Sequence, residues 1–237
     1  MASTIKKIAD QNTEKRAHKI HHPAKFTDRF LPIFAKILKD CKNVVDPFAG
    51  TGKLALIKDH GFQGKVICNE LEVDWTTLDP HQVDEWHYGD AATMTWCPSN
   101  SVDAICTSPC YGNRMADHHN ARDGSRRITY THCLGHPLHL ENTGRMQWGE
   151  PYRQKHIAVY QECYRILTLN GLFIVNISNH IRKGQEVDVV GWNKSVISGL
   201  GFQLVEERKV ETPRMKRGEN YNLRVQYESI LIFRKKE

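Results

Sequence analysis

Short apolar runs alternate with longer amphipathic segments along most of this sequence. Seven of the runs predict buried strands, because they are short, apolar and bounded by turn residues. They lie near residues 43–46, 65–70, 86–91, 101–107, 172–177, 202–210 and 225–233. Apolar residues at helical spacing predict helices over residues 28–39, 51–59, 151–169 and 187–200. This alternation is typical of an α/β fold with a mostly parallel sheet, and we expect one domain over residues 1–237.

Glycine marks the ends of two of these helices. Gly61 should close the helix of residues 51–59, since glycine readily adopts the left-handed conformation that ends helices. The pair Asn170-Gly171 should likewise end the helix of residues 151–169. The next strand is then predicted to begin at Leu172.

Residues 114–150 interrupt the pattern, because they have little hydrophobic periodicity and are rich in His, Arg, Asn and Gly. So long a loop in a compact domain is usually functional or disordered. Its arginines and aromatic residues suit a nucleic-acid backbone with stacked bases. These residues are Arg114, Arg122, Arg126, Arg127, Tyr130, Arg145 and Trp148. Cys133, His136 and His139 have metal-like spacing without a convincing fourth ligand, so we predict no metal site.

The composition limits the class of protein. Hydrophobic residues make up 40% and charged residues 25% of the 237 residues, which is ordinary for a soluble globular chain. The net charge of +6 permits a polyanionic partner. Seven cysteines without a framework of spacings favour a reduced, cytoplasmic setting, and no run is long enough for a membrane helix. We expect a flexible basic lead-in over residues 1–20, no secretion signal, and His21 and His22 on the solvated surface.

Two successive strands are predicted to end in acids at the same edge of the sheet. Asp46 opens the turn Asp46-Pro47-Phe48-Ala49-Gly50-Thr51-Gly52, and Glu70 ends the following strand. The turn is not a phosphate loop, because Leu54 stands where Ser or Thr is needed after Lys53. Two acids at such an edge suit a ligand with hydroxyls and a cationic centre. The fourth strand runs into Ser108-Pro109-Cys110-Tyr111, a Pro-containing turn with a hydroxyl and an aromatic ring.

Taken together, these segments resemble S-adenosylmethionine-dependent DNA amino-methyltransferases, including stand-alone methylases of phage type. The resemblance rests on His22-Pro23-Ala24-Lys25-Phe26, the Asp46–Gly52 turn, the Ser108–Tyr111 turn and the strand from Tyr227 to Lys235. It implies a seven-stranded Rossmann-like sheet with helices on both faces and an antiparallel last strand. It also implies the cytoplasm of a bacterial or phage-infected cell, and a role in restriction-modification.

The resemblance implies S-adenosyl-L-methionine as cofactor and double-stranded DNA as partner. Its cofactor-binding residues would be Lys25, Phe26, Asp46, Phe48, Gly50, Gly52, Glu70 and Asp90. Glu70 would accept from the ribose hydroxyls and Asp90 from the adenine amino group.

The implied catalytic residues are Ser108, Pro109, Cys110 and Tyr111. The Ser108 side-chain oxygen and the Pro109 carbonyl would accept the hydrogens of an exocyclic amine, and Tyr111 would stack on a flipped base. Serine at the first position favours cytosine N4, with adenine N6 as the alternative. Cys110 replaces the usual second proline, which keeps cytosine C5 chemistry open, with Cys110 as nucleophile. RNA, protein or small-molecule methylation and a catalytically silent nucleic-acid-binding protein are the remaining alternatives.

Overall fold

The structure is a computed structural model that describes residues 22–24, 26–78, 81–111, 129–213 and 221–237. Several predictions fall outside these ranges. They concern the lead-in of residues 1–20, His21, Lys25, Arg114, Arg122, Arg126 and Arg127.

A seven-stranded sheet forms the centre of the molecule, in the order β3-β2-β1-β4-β5-β9-β8. The strands are β1 Asn43–Asp46, β2 Lys65–Glu70, β3 Glu85–Tyr88, β4 Val102–Thr107, β5 Leu167–Ile177, β8 Phe202–Glu211 and β9 Tyr227–Lys235. The first five are parallel, whereas β9 is antiparallel to both β5 and β8. The predicted seven strands and antiparallel last strand are confirmed.

Helices cover both faces of this sheet. The α-helices are α1 Leu31–Leu38, α2 Trp75–Leu78, α3 Tyr130–Leu134, α4 Glu150–Ile166 and α5 Val189–Gly199. The 3-10 helices are Asp28–Phe30, Lys53–His60, Thr143–Arg145 and Tyr221–Leu223. One apolar core joins the sheet to α4 and α5, and a second joins it to α1 and the 3-10 helix of residues 53–60. Among the helices described here, none is both long and apolar enough to cross a bilayer.

The predicted end of the long helix is wrong by several residues. α4 ends at Ile166, and Leu167 already pairs with Val102 in the sheet. The apolar spacing runs on past this point, but the fully buried Leu167 belongs to the strand ladder. Asn170 takes a left-handed φ of 64° inside β5 and therefore bends a strand instead of ending a helix. The hairpin of β6 His180–Arg182 and β7 Gln185–Val187 is an addition that the sequence pattern did not predict.

The described half of the predicted loop is folded. It contains α3 and a 3-10 helix, and it buries Tyr130, Cys133 and Leu138 against Trp75 in a small third core. The sequence pattern did not predict this core, because three scattered apolar side chains that cover one tryptophan produce no hydrophobic periodicity. Residues 129–149 therefore form a docked cap next to the strand edge.

The central position of β9 gives a test of the fold. Leu231 is fully buried on β9, whereas Val205 on the edge strand β8 is 54% exposed. Leu231→Ala should lower the free energy of unfolding by about 2–5 kcal/mol, because it leaves a cavity in the core. Val205→Ala should change it by less than about 0.5 kcal/mol. Chemical denaturation measures both, and equal effects would contradict this sheet order.

Candidate functional site

The predicted site residues collect at one edge of the sheet. Asp46 and Glu70 end β1 and β2, Asp90 follows β3, and Ser108 follows β4. Because these strands are parallel, their carboxyl ends meet at the same edge, where open α/β sheets bind ligands.

The turn after β1 requires its glycines. Gly50 and Gly52 have φ values of 55° and 76°, in the left-handed region that other residues rarely adopt. A Cβ atom on Gly52 would lie 2.4 Å from Val83 Cγ2 and 2.8 Å from the Trp86 ring. The chain can therefore adopt this compact turn only with glycine at both positions.

Asp46 is a buried carboxylate with a free side. Its Oδ1 accepts the Phe48 N–H at 3.1 Å and the Thr107 hydroxyl at 2.7 Å. Burial raises the pKa of Asp46 to about 6, although these two hydrogen bonds oppose the shift. No residue in the described part of the chain donates to Oδ2 of Asp46, so this oxygen can accept from a ligand.

Glu70 shapes the glycine turn directly. Its Oε2 accepts the Gly50 N–H at 2.6 Å, and its Oε1 accepts the N–H groups of Leu71 and Glu72 at 3.0 and 2.9 Å. Burial raises the pKa of Glu70 to about 7, against the lowering effect of these bonds. A donor that reaches Glu70 will therefore stabilise its charged form.

Asp90 is engaged with a lysine. Its Oδ1 accepts the Ala92 N–H at 2.9 Å, and its Oδ2 forms an ion pair with Lys155 of α4. Lys155 also contacts Glu141 of the docked cap at 2.8 Å. A ligand amino group at Asp90 would share the carboxylate with Lys155.

The segment before α1 packs over the glycine turn. The expectation of a solvated His22 is wrong, because its ring lies edge-on to Trp75 and Tyr130 at 4.4 and 5.3 Å. It also faces Gly50, where a Cβ atom would come within 3.3 Å of His22 Nε2. Phe26 is held nearby, because its carbonyl accepts from Lys53 Nζ at 2.7 Å.

Phe48 connects the glycine turn to α4. Its ring stacks on His156 at a centroid distance of 5.6 Å, and His156 stacks on Tyr152 at 4.0 Å. Burial lowers the pKa of His156 to about 4, so the imidazole is neutral near pH 7. The stack therefore acts as an uncharged packing contact.

The turn after β4 lies in a buried polar network. Ser108 Oγ accepts from Asn176 Nδ2 at 3.4 Å, and the same amide nitrogen donates to Glu228 Oε2 at 2.8 Å. The Tyr111 hydroxyl donates to that Glu228 oxygen at 3.1 Å. Two neighbouring strands, β5 and β9, thus contact the first and last residues of the turn.

Cys110 points away from this network into the small third core. Its Sγ lies 3.6 Å from the Tyr130 hydroxyl, and its carbonyl accepts the Tyr152 hydroxyl at 2.5 Å. Burial raises the pKa of the Cys110 thiol. A nucleophilic cysteine needs a thiolate, so this environment favours a structural role.

The metal-like spacing does not bring ligands together. His136 Nε2 pairs with Asp74 at 2.7 Å, while Cys133 is buried in the small third core. Within the residues that the structure describes, no group of three or more potential metal ligands converges.

Sequence reasoning missed Thr107, Asn176, Glu228 and His156. Asn176 is a polar residue inside an apolar strand, and Glu228 is an acid at the start of another, so each carried a local signal. Their meeting at Ser108 depends on strand order, which no local pattern states. His156 carried no such signal.

Comparison with known proteins gives likeness of fold only. No protein-family model and no curated protein matches the sequence. An S-adenosylmethionine-dependent methyltransferase from Methanosarcina mazei has a TM-score of 0.54 at 10% identity, covering 86% of this chain and 97% of that one. The PH0226 protein from Pyrococcus horikoshii has a TM-score of 0.53 at 16% identity, covering 87% and 88%.

A third structure shows how far this likeness reaches. The cyclase SpnF has a TM-score of 0.53 at 13% identity, covering 88% of this chain and 81% of that one. The chain therefore has the Rossmann-like fold of methyltransferases, which also occurs in a protein named for another reaction. The reaction must be argued from the side chains at the strand edge.

The raised pKa of Glu70 predicts how stability depends on pH. The folded protein holds this proton above the ordinary value of 4.5, so the unfolding free energy should fall as the pH rises from about 4.5 to about 7. Below about pH 4.5 Glu70 is protonated in both the folded and the unfolded state, so it no longer lowers the free energy of unfolding. The loss from Glu70 is on the order of 3 kcal/mol.

Denaturation at several pH values, with Glu70→Gln beside the wild type, measures this effect. The variant should lose less stability across the window, whereas Glu237→Gln, a change at an exposed residue, should follow the wild type. Parallel profiles for the wild type and Glu70→Gln would contradict the assignment.

Proposed function

We propose that this chain is an S-adenosylmethionine-dependent methyltransferase that acts on an exocyclic amino group of a base in double-stranded DNA. Cytosine N4 is the favoured acceptor and adenine N6 the alternative, followed by cytosine C5 or an RNA base. The methyltransferase fold and the side chains at the strand edge support this function.

A single hydrogen bond carries the proposal. The Thr107 hydroxyl donates to Asp46 Oδ1 at 2.7 Å, and Thr107 directly precedes Ser108. The bond joins the glycine turn, suited to a methyl donor, to the turn that bears the candidate acceptor chemistry. Both halves of a transfer reaction thus share one buried contact.

The residues present fit the cofactor. Glu70 retains acceptor capacity for ribose hydroxyls, because its Oε2 accepts one hydrogen bond within the described residues, and Asp46 Oδ2 can accept from an ammonium group. The positive φ of Gly50 and Gly52 gives the backbone room for close approach. When bound, S-adenosylmethionine supplies an electrophilic methyl group on a sulfonium.

Ser108 and Pro109 would prepare the amine for attack. The lone pair of an exocyclic amine is delocalised into the base, so the nitrogen is a weak nucleophile. Acceptance of its two hydrogens by Ser108 Oγ and the Pro109 carbonyl favours a pyramidal nitrogen with an available lone pair. This lone pair would take the sulfonium methyl group of the cofactor held at the glycine turn, with an N–C bond replacing the S–C bond, and the methylated nitrogen would release one proton to water. Positioning supplies most of the rate enhancement.

An aromatic and basic surface near this turn supports a nucleic-acid substrate. Trp148 lies 5.3 Å from Tyr152, whose hydroxyl binds the Cys110 carbonyl, and 5.4 Å from Trp192. The Arg153 guanidinium lies 5.9 Å from the Trp148 ring, and Arg182 donates to the Trp148 carbonyl at 2.9 Å. Aromatic rings beside arginines suit stacked bases and phosphates.

The test of the function is identification of the product. The protein is incubated with double-stranded DNA and methyl-labelled S-adenosylmethionine, and the digested nucleosides are analysed by mass spectrometry. We expect N4-methylcytosine, while N6-methyladenine would support the alternative. Exclusive 5-methylcytosine, or no methylated nucleoside, would overturn the amine assignment.

Two variants of the same turn sharpen this test. Ser108→Ala should lower turnover by about 100-fold with an unchanged cofactor Kd, because it removes one acceptor for the amine. Cys110→Ala should retain the N-methyl product. Loss of activity in Cys110→Ala alone would favour C5 chemistry.

Cofactor binding tests the glycine turn separately. Asp46→Asn should weaken S-adenosylmethionine binding by about tenfold or more in calorimetry, because it removes the charge that would face the ammonium group. Asp103→Asn is the matched control, since Asp103 accepts the Lys42 and Asn43 N–H groups at the opposite edge. Equal affinities for wild type and Asp46→Asn would contradict this site.

A further inference from the structure

The antiparallel strand β9 brings a buried carboxylate to the candidate active site. Its first residues lie beside the last residues of β5, with Ser229 paired to Ile177 and Ile230 paired to Asn176. Glu228 is only 6% exposed, and Asn176 is fully buried. A carboxylate at this depth is costly to bury unless hydrogen bonds compensate it.

Glu228 fixes the orientation of the Asn176 amide. Ionised, a carboxylate only accepts hydrogen bonds, so the amide nitrogen and not the amide oxygen must face it. This nitrogen lies 2.8 Å from Glu228 Oε2 and 3.4 Å from Ser108 Oγ. One N–H is thus directed at Glu228 and the other at Ser108.

This arrangement determines which acceptor position of the Ser108 hydroxyl is occupied. A serine hydroxyl has two acceptor positions and one donor, and Asn176 occupies one acceptor position. The other acceptor position is left for an incoming N–H group. Asn176 Oδ1 has no hydrogen-bond partner within the described residues, so the hydrogen bonds of this amide to Glu228 and Ser108 are made through its nitrogen.

The same carboxylate oxygen also holds the aromatic residue of the turn. The Tyr111 hydroxyl donates to Glu228 Oε2 at 3.1 Å, which fixes one end of a ring that also packs against the larger core. Glu228 Oε2 therefore positions both ends of the turn: it binds Tyr111 directly and reaches Ser108, three positions earlier, through Asn176.

We propose that Glu228 is a positioning residue for methyl transfer, which orients the Ser108 oxygen through Asn176 and the Tyr111 ring directly. This inference rests on the proposed function. Glu228 acts on the acceptor side of the reaction, because its hydrogen bonds with Tyr111 and Asn176 connect it to the turn after β4. Its removal should therefore affect the transfer step and leave the cofactor in place.

Glu228→Gln tests this role with little change in shape. Glutamine offers one acceptor oxygen and brings two N–H donors to a point where Asn176 and Tyr111 already donate. We expect the single-turnover methyl-transfer rate constant to fall about tenfold or more, with the cofactor Kd and the unfolding midpoint close to wild type. Equal rate constants for variant and wild type, or a fall matched by lost cofactor affinity, would overturn the proposal.

Glu207→Gln is the matched control. Glu207 lies on β8 next to β9 and accepts from Ser229 at 2.9 Å and Lys194 at 3.1 Å, so the same substitution perturbs the other side of β9. Its rate constant should equal that of the wild type. A similar loss in both variants would reduce the role of Glu228 to sheet stability.

A spectroscopic readout separates this inference from the proposed function. In protein labelled with 3-fluorotyrosine, the ¹⁹F resonance that Tyr111→Phe removes identifies Tyr111. Glu228→Gln should shift or narrow this resonance, and Glu207→Gln should not. If the wild type transfers no methyl group, the proposed function fails on its own. An unchanged Tyr111 resonance in Glu228→Gln overturns the positioning role whatever the activity.

Discussion

The burial of carboxylates at the ends of parallel strands is the constraint on which the site depends. Asp46 and Glu70 are 3% and 8% exposed, and backbone N–H groups and a hydroxyl donate hydrogen bonds to them. Such donors stabilise the acids only partly, which is why burial still raises both pKa values. A cationic or hydroxyl-bearing ligand would supply the further stabilisation that the two charged carboxylates lack.

Tertiary contacts replace local rigidity at the turn after β4. A second proline at position 110 would fix the backbone covalently, whereas Cys110 leaves it freer. The Tyr152 hydroxyl binds the Cys110 carbonyl, and Tyr130 packs against its sulfur. Both tyrosines are buried, so α4 and the docked cap hold the turn in place from one side. Glu228 and Asn176 hold it from the other.

The sequence predicted well which residues stand at the strand ends, because acids, glycines and serine at those positions carry local signals. Asp46, Glu70, Asp90 and Ser108 lie at the edge where parallel strands must end. The prediction that α4 continues beyond Ile166 is wrong, because Leu167 pairs with Val102 in the sheet and this pairing outweighs the helical spacing. The prediction of a solvated His22 is wrong for a similar reason, because only the folded chain places Trp75 and Tyr130 beside it. Contacts between distant strands have no counterpart in periodicity or composition.

The two halves of the site differ in how far apart their partners lie along the chain. Gly50 and Glu70 are 20 residues apart, whereas Tyr111 and Glu228 are 117 apart and Asn176 and Glu228 are 52 apart. Closing a longer loop costs more entropy, and distant contacts form more slowly. The glycine-turn half can therefore assemble early in folding, and the acceptor half is completed only when β9 inserts between β5 and β8.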